Sequence, residues 1–222
     1  MENKNIIRFE FAKKGGLKYI SHLDLQRAIV RIIKRSSIPI RYTQGFNPHP
    51  KMVFALTLSV GCESECELLD VYMTMDESRP NVPLYTPEEF KEAILPNLPE
   101  GLDFINAYYP SRPFTDIKNA IYEIAVDLKN EVDVTDLLSS LLSQPLFVLK
   151  KSKAGDKVID IKPLIRDYDV KQKENQLTLT LTLSAAQNEY LNPELVITAL
   201  KKEEAVLNSF DYYTITRKKI LF

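Results

Sequence analysis

Two stretches of this chain carry the same succession of patterns, and that repetition limits the fold more than any single motif does. In the first, Ile6 to Ala12 alternates as Ile-Arg-Phe-Glu-Phe and reads as a strand. Lys13-Lys14-Gly15-Gly16 breaks it. Ser21-His22-Leu23-Asp24 is a capping-box arrangement, with Ser21 as cap and Asp24 at the third helical position. The helix runs to about Ser36, with Leu25, Ala28, Ile29, Ile32 and Ile33 as its apolar stripe. Pro39 to Tyr42, Met52 to Val60 and Glu67 to Met75 read as strands. Thr86 caps a second helix with Pro87 at its first position, and Leu102 to Tyr109 closes the half as a strand.

The second stretch follows the same order. Ala120 to Leu128 is a strand, Val134 to Leu142 a helix capped by Asp133, and Leu146 to Lys150 and Lys157 to Ile161 are strands. Gln176 to Ser184 alternates Leu and Thr as a half-buried strand does. Asn192 caps a helix to about Glu204, and Phe210 to Arg217 ends the series. Each half reads strand, helix, strands, helix, strand. The expectation is an α+β chain of two tandem ferredoxin-like (βαββαβ) domains, residues 1–112 and 113–222, with extra hairpin strands. A chain of 222 residues is long enough for two such domains.

The net charge of −1 conceals a polarity. From Arg8 to Lys51 ten basic residues face only Glu10 and Asp24, whereas from Cys62 to Phe104 eleven acids face only Arg79 and Lys91. The basic block is either the footprint of an anion such as RNA or one half of an internal neutralisation. Arg27, Arg31, Lys34 and Arg35 fall at helical spacing on one exposed face.

The basic block ends in Tyr42-Thr-Gln-Gly-Phe-Asn-Pro-His-Pro-Lys51. Gly45 and Asn47 tolerate a positive φ, and Pro48 and Pro50 stiffen the chain on both sides of His49. Arg41, Tyr42, Gln44, Phe46, Asn47, His49 and Lys51 thus gather cationic, amide and aromatic groups on one rigid loop. Such a loop suits clamping a nucleic-acid backbone with Phe46 or Tyr42 stacked on a base, or docking a protein. His22 sits in the first turn of the first helix, where the helix dipole favours neutral imidazole. His22 and His49 together could run metal-independent acid–base phosphodiester cleavage; each could equally be structural.

Other chemistry has little material here. Cys62 and Cys66 are the only cysteines, too few for a radical SAM cluster or a four-ligand zinc site with only two histidines present. No metal or cofactor is expected. No Walker loop, GxGxxG, HExxH or GxSxG occurs. Asp70 is expected to pair with a base of the N-terminal block, because alternation points it away from Glu67. Lys150 to Lys153, Lys157, Lys162 and Arg166 form a second basic region around a hairpin, extended by Arg217 to Lys219. No tract of about 18 apolar residues and no basic–apolar leader appear, so the expectation is a cytoplasmic protein with no membrane partner.

Arg8-Phe9, Lys18-Tyr-Ile-Ser-His-Leu-Asp24, Gln44-Gly-Phe-Asn-Pro-His-Pro-Lys51, Val60-Gly61, Glu63-Ser64 and Glu67-Leu-Leu-Asp70 resemble the radical-SAM-linked family of uncharacterised bacterial domains. Lys150 to Pro163 and Thr216 to Leu221 are similar to that family's later motifs. The resemblance implies a domain found alone or fused behind a B12-type radical SAM protein, and so a radical SAM enzyme as partner. It supplies no catalytic residues. The tandem architecture is similar to that of CRISPR repeat-associated RNA-processing proteins, an analogy of fold only. Three functions remain open: a non-catalytic RNA-binding or substrate-presenting accessory protein, an endoribonuclease using His22 and His49, and a pure protein-interaction module.

Overall fold

The computed structural model describes residues 5–76, 78–130, 132–150 and 155–222, with the side chains of 79–83 left undescribed. The chain forms two units, Met1–Phe114 and Thr115–Phe222.

In the first unit, strand β1 (Ile6–Lys13) leads through a short 3₁₀ turn (Gly15–Tyr19) into helix α1 (His22–Arg35). The Ser21 hydroxyl accepts the Asp24 N–H and donates to the Asp24 carboxylate. α1 ends in a Schellman turn. Ser37 adopts φ +54°, its N–H reaches the Lys34 carbonyl, and the Ile38 N–H reaches the Ile33 carbonyl. Strands β2 (Met52–Phe54) and β3 (Cys62–Tyr72) follow, then the hairpin β4 (Met75–Asp76) and β5 (Arg79–Pro83). Helix α2 (Pro87–Ile94) opens with a reciprocal capping box between Thr86 and Glu89, and β6 (Leu102–Tyr108) completes the unit. The sheet order is β2-β3-β1-β6, every neighbouring pair antiparallel.

Register decides which residues enter the core. Ile7, Phe9 and Phe11 of β1 lie on one face with Leu69 and Val71 of β3. They pack under Leu25, Ile29, Ile32 and Ile33 of α1 and Phe90 and Ile94 of α2. Phe9 stacks on Phe11 at 4.9 Å and tilts against Phe90 at 5.8 Å. Arg8 and Asp70, one residue out of phase with that face, are cross-strand partners on the other side.

The second unit runs β7 (Asn119–Leu128), α3 (Thr135–Ser143), a hairpin of β8 (Phe147–Lys150) and β9 (Lys157–Asp160), β10 (Ile165–Lys173), β11 (Gln176–Ser184), α4 (Pro193–Leu200), α5 (Glu204–Ser209) and β12 (Phe210–Leu221). Its sheet order is β10-β11-β7-β12, again antiparallel throughout. Leu177, Leu179, Leu181 and Leu183 are buried, as the Leu–Thr alternation requires, beside Tyr122, Ile124 and Val126 of β7. The fold is α+β.

Several elements differ from the sequence reading. Pro39 to Tyr42 is not a strand: only single bridges, Ile40 to Met73 and Tyr42 to Pro50, form there. Pairing from Met52 stops at Phe54, because the chain turns before Leu58 sinks into the core. β3 starts five residues early, with Glu63 and Glu65 on its wetter side. β10, not expected as a strand, is one, and Asp133 bonds the Thr135 N–H as an Asx turn while the N-cap itself is Val134. The helix from Pro193 breaks after Leu200, and a second begins at Glu204. The turn residues Lys151 to Lys153 lie outside the described residues.

Candidate nucleic-acid interface

α1 carries the basic face that its spacing demands. Arg27, Arg31, Lys34 and Arg35 are all exposed, opposite the buried Leu25, Ile29, Ile32 and Ile33. Arg27 is partly neutralised by Asp24 at 3.1 Å, and Arg35 donates to the Asn97 carbonyl at 3.3 Å. The Ser21 hydroxyl first, and then Arg27, hold the Asp24 carboxyl below its ordinary range. Arg31, Lys34 and Arg41 form no ion pair among the described residues.

The loop after α1 is held by a residue that the sequence reading did not single out. The Thr43 N–H donates to the His49 carbonyl at 2.8 Å, and the Thr43 hydroxyl accepts the His49 N–H at 3.1 Å. His49 Nδ1 lies 3.1 Å from that hydroxyl and 3.3 Å from the Asn47 carbonyl. A carbonyl only accepts, so the Asn47 contact is a hydrogen bond when Nδ1 carries the proton, which leaves Nε2 as an acceptor. The loop's base is pinned where Lys51 N–H meets the Arg41 carbonyl, Arg41 N–H the Tyr72 carbonyl, and Tyr72 N–H the Lys51 carbonyl. Lys51 Nζ stands 4.3 Å from the Tyr72 ring centroid. Gly45 takes φ +138°, and beyond it Phe46 projects with 102% of its reference surface exposed. Gln44, Asn47 and Tyr42 are exposed around it. Nothing in the packing of the unit requires a phenyl ring there.

His22 is placed differently. Its Nε2 lies 3.1 Å from the Gln26 amide nitrogen, which makes Nε2 the acceptor, and its ring meets Phe54 edge-on at 4.9 Å. Burial lowers its pKa; Glu67 opposes that shift and Lys13 adds to it. Lys13 and Glu67 are themselves buried. Among the described residues His22 meets Gln26 and Phe54, and His49 meets Thr43 and Asn47, with no contact between the two histidines. Both groups of an acid–base pair must reach the same phosphodiester by hydrogen bonds. Arg31, Lys34 and Arg35, by contrast, lie on the last turns of α1, a few residues before Arg41 and the loop.

Cys62 and Cys66 are buried thiols of β3, and among the described residues no group of three or more His, Cys, Asp or Glu is placed to hold a metal. Asp70 accepts from Arg8, as expected, at 2.7 and 2.9 Å. In the second unit Lys150, Lys157 and Arg166 are exposed, Arg166 pairing with Glu189 at 2.9 Å. Arg217 is fully buried against the Tyr122 hydroxyl at 3.2 Å, so it adds nothing to a basic surface.

Antiparallel sheets backed by helices, with an exposed cationic helix and an exposed aromatic loop, define an α+β protein. The chain belongs to the family described as "Uncharacterized protein conserved in bacteria (DUF2344)", which matches residues 7–193. No curated protein matches it. Among solved structures it is similar to a chain of "Crystal Structure of a Cbf5-Nop10-Gar1 Complex", at 10% identity and a TM-score of 0.51. That match covers 99% of this chain but spans only half of the other, and it bears on fold alone. A second similarity, to "Crystal Structure of an Unknown Protein from Galdieria sulphuraria", has 10% identity, a TM-score of 0.26 and coverage of 96% and 98% of the two chains. No helix among the described residues is long and apolar enough to cross a membrane.

Proposed function

We propose that this protein is a non-catalytic RNA-binding or substrate-presenting accessory protein that works with a radical SAM enzyme in the cytoplasm. Each unit is read as a ferredoxin-like βαββαβ domain. What supports that reading is the sheet order, in which the first and third main strands lie centrally, flanked by the fourth and second, all antiparallel. The radical SAM partnership rests on the motif resemblance of residues 8–75.

The observation that carries the functional reading is the solvent-facing row Arg27, Arg31, Lys34 and Arg35, which leads toward a loop that holds Phe46 wholly in water. Solvent-exposed cations, of which Arg31 and Lys34 form no ion pair among the described residues, and an aromatic ring with no packing role are the two parts a single-strand binder needs. A nuclease that used both histidines on one bond has less support, because His22 and His49 each bond to other partners and not to one another.

Reversal of Arg27, Arg31 and Arg35 to Glu tests the proposal. The expected result is loss of RNA binding, of association with the radical SAM enzyme, or of both, with the circular dichroism of the fold unchanged. A reversed protein that retains both would sink the proposal.

A further inference from the structure

Tyr19, just before α1, and Leu23, in its first turn, are 64% and 55% exposed. Tyr19 ends the 3₁₀ turn, and Leu23 lies one helical turn before Arg27 on the same stripe. Lys18 Nζ lies 5.4 Å from the Tyr19 ring centroid and also pairs with Glu63 at 3.6 Å, so the approach to the ring is already cationic. Arg41, Tyr42 and Phe46 follow the C-terminal end of α1 in the chain and are exposed. In chain order the exposed groups thus run aromatic, cationic row, aromatic.

We infer that Tyr19 and Phe46 are base-stacking platforms at the two ends of a track for single-stranded RNA laid along the outer face of α1. The inference deepens the RNA-binding reading above and rests on it. Arg27, Arg31 and Lys34 or Arg35 recur about every 6 Å along the helix axis, comparable to the step between phosphates of an extended strand. The fourteen residues of α1 span about 21 Å. At that step the helix alone spans about three to four nucleotides, the lower end of single-strand sites of about 4–16 nucleotides.

Two features select a single strand over a duplex. The major groove of A-form RNA is too deep and narrow to admit a helix, so α1 cannot read a duplex from within. A duplex also offers no free base faces along its length, whereas exposed rings are useful only to unstacked bases. The charge complementarity is one-sided: Asp24 is the single acid on α1, and Ser21 and Arg27 already engage it.

Fluorescence anisotropy with a labelled oligouridylate of about twelve nucleotides, and with a duplex of the same length, separates the outcomes. Wild-type protein is expected to prefer the single strand. Tyr19→Ala and Phe46→Ala are each expected to weaken single-strand binding by about tenfold, with the salt dependence unchanged, and Tyr19→Phe to bind as wild type. Both positions are exposed, so neither change threatens folding. Equal binding of duplex and single strand, or a Tyr19→Ala protein that binds as wild type, overturns the track while leaving RNA binding intact. No binding of either RNA by wild-type protein overturns both readings.

Discussion

Arg8 and Asp70 face each other across β1 and β3, and the guanidinium closes a two-pronged ion pair on the carboxylate at 2.7 and 2.9 Å. Both side chains are nearly shielded from solvent, and the Arg8 guanidinium carbon also sits 4.0 Å from the Phe114 ring centroid. Burial pushes the Asp70 carboxyl above its ordinary value, and Arg8 pulls it back. Taking one partner away strands the other charge, so Asp70→Ala is expected to cost about 3–5 kcal/mol in urea unfolding. The double change Arg8→Met, Asp70→Leu removes both charges and is expected to recover most of that loss. A double variant as unstable as the single one would show that the pair is not what the site depends on.

Ser37 occupies the left-handed position that ends α1, at φ +54°. A side chain there carries a steric penalty that glycine lacks. The buried Ile38 and Ile33 close the motif on either side of the turn. Ser37→Gly is therefore expected to stabilise the protein by about 1 kcal/mol. A lower thermal midpoint in that variant would show that the serine has a role the backbone geometry does not reveal.

Gly101 presents the opposite case. Its φ is +83°, and an added Cβ would stand 2.6 Å from the Lys14 carbonyl oxygen. The same backbone approach carries the hydrogen bond from Lys14 N–H to the Gly101 carbonyl at 2.8 Å. Gly101→Ala is expected to destabilise by about 1–3 kcal/mol. Gly16→Ala, with nothing within 4 Å of the added Cβ, is the control and is expected to have a small effect. Chemical denaturation of the two variants side by side checks the contrast.

His22 gives stability a pH dependence of definite sign. Burial holds its folded pKa below 6.5, so the unfolded chain binds the proton more readily. Stability is then fully present above the unfolded value and is lost as pH falls from about 6.5 toward the folded value. The groups acting on the ring are Glu67, which raises the folded value, and Lys13, which lowers it. His22→Gln is expected to lose less stability than wild type between about pH 7.5 and about pH 5.5. Parallel slopes for the two proteins would contradict the burial argument.

Local chemistry was the part of this structure that the sequence made legible. Ser21, Thr86 and Asn192 announce helix starts because a cap acts within three residues of itself. The stripe of α1 and the alternation of β11 are visible for the same reason: one periodic face meets one core. What depends on a distant partner was not legible. β10 carries Arg, Asp, Lys and Gln at an edge and pairs only because β11 lies beside it. Met52 to Val60 is apolar throughout much of its length, yet only Met52–Phe54 is a strand against β3, and the chain then turns to bury Leu58. Of the proposed recognition surface, the arginines and the loop could be read from spacing and from Gly and Pro. Thr43 and Tyr19 could not, since a hydroxyl reaching six residues ahead and a ring left in solvent have no periodic signature.

Whether the basic face of α1 meets RNA phosphates, as proposed, is tested most directly by the salt dependence of binding. Purified protein is mixed with total small RNA in EDTA across a range of salt, and complexes and RNA length are read on the same gel. The account predicts intact RNA and a shift that fades steeply with salt, with a slope of about −0.7 for each phosphate neutralised. RNA that is shortened, a shift indifferent to salt, or no shift at low salt would contradict it.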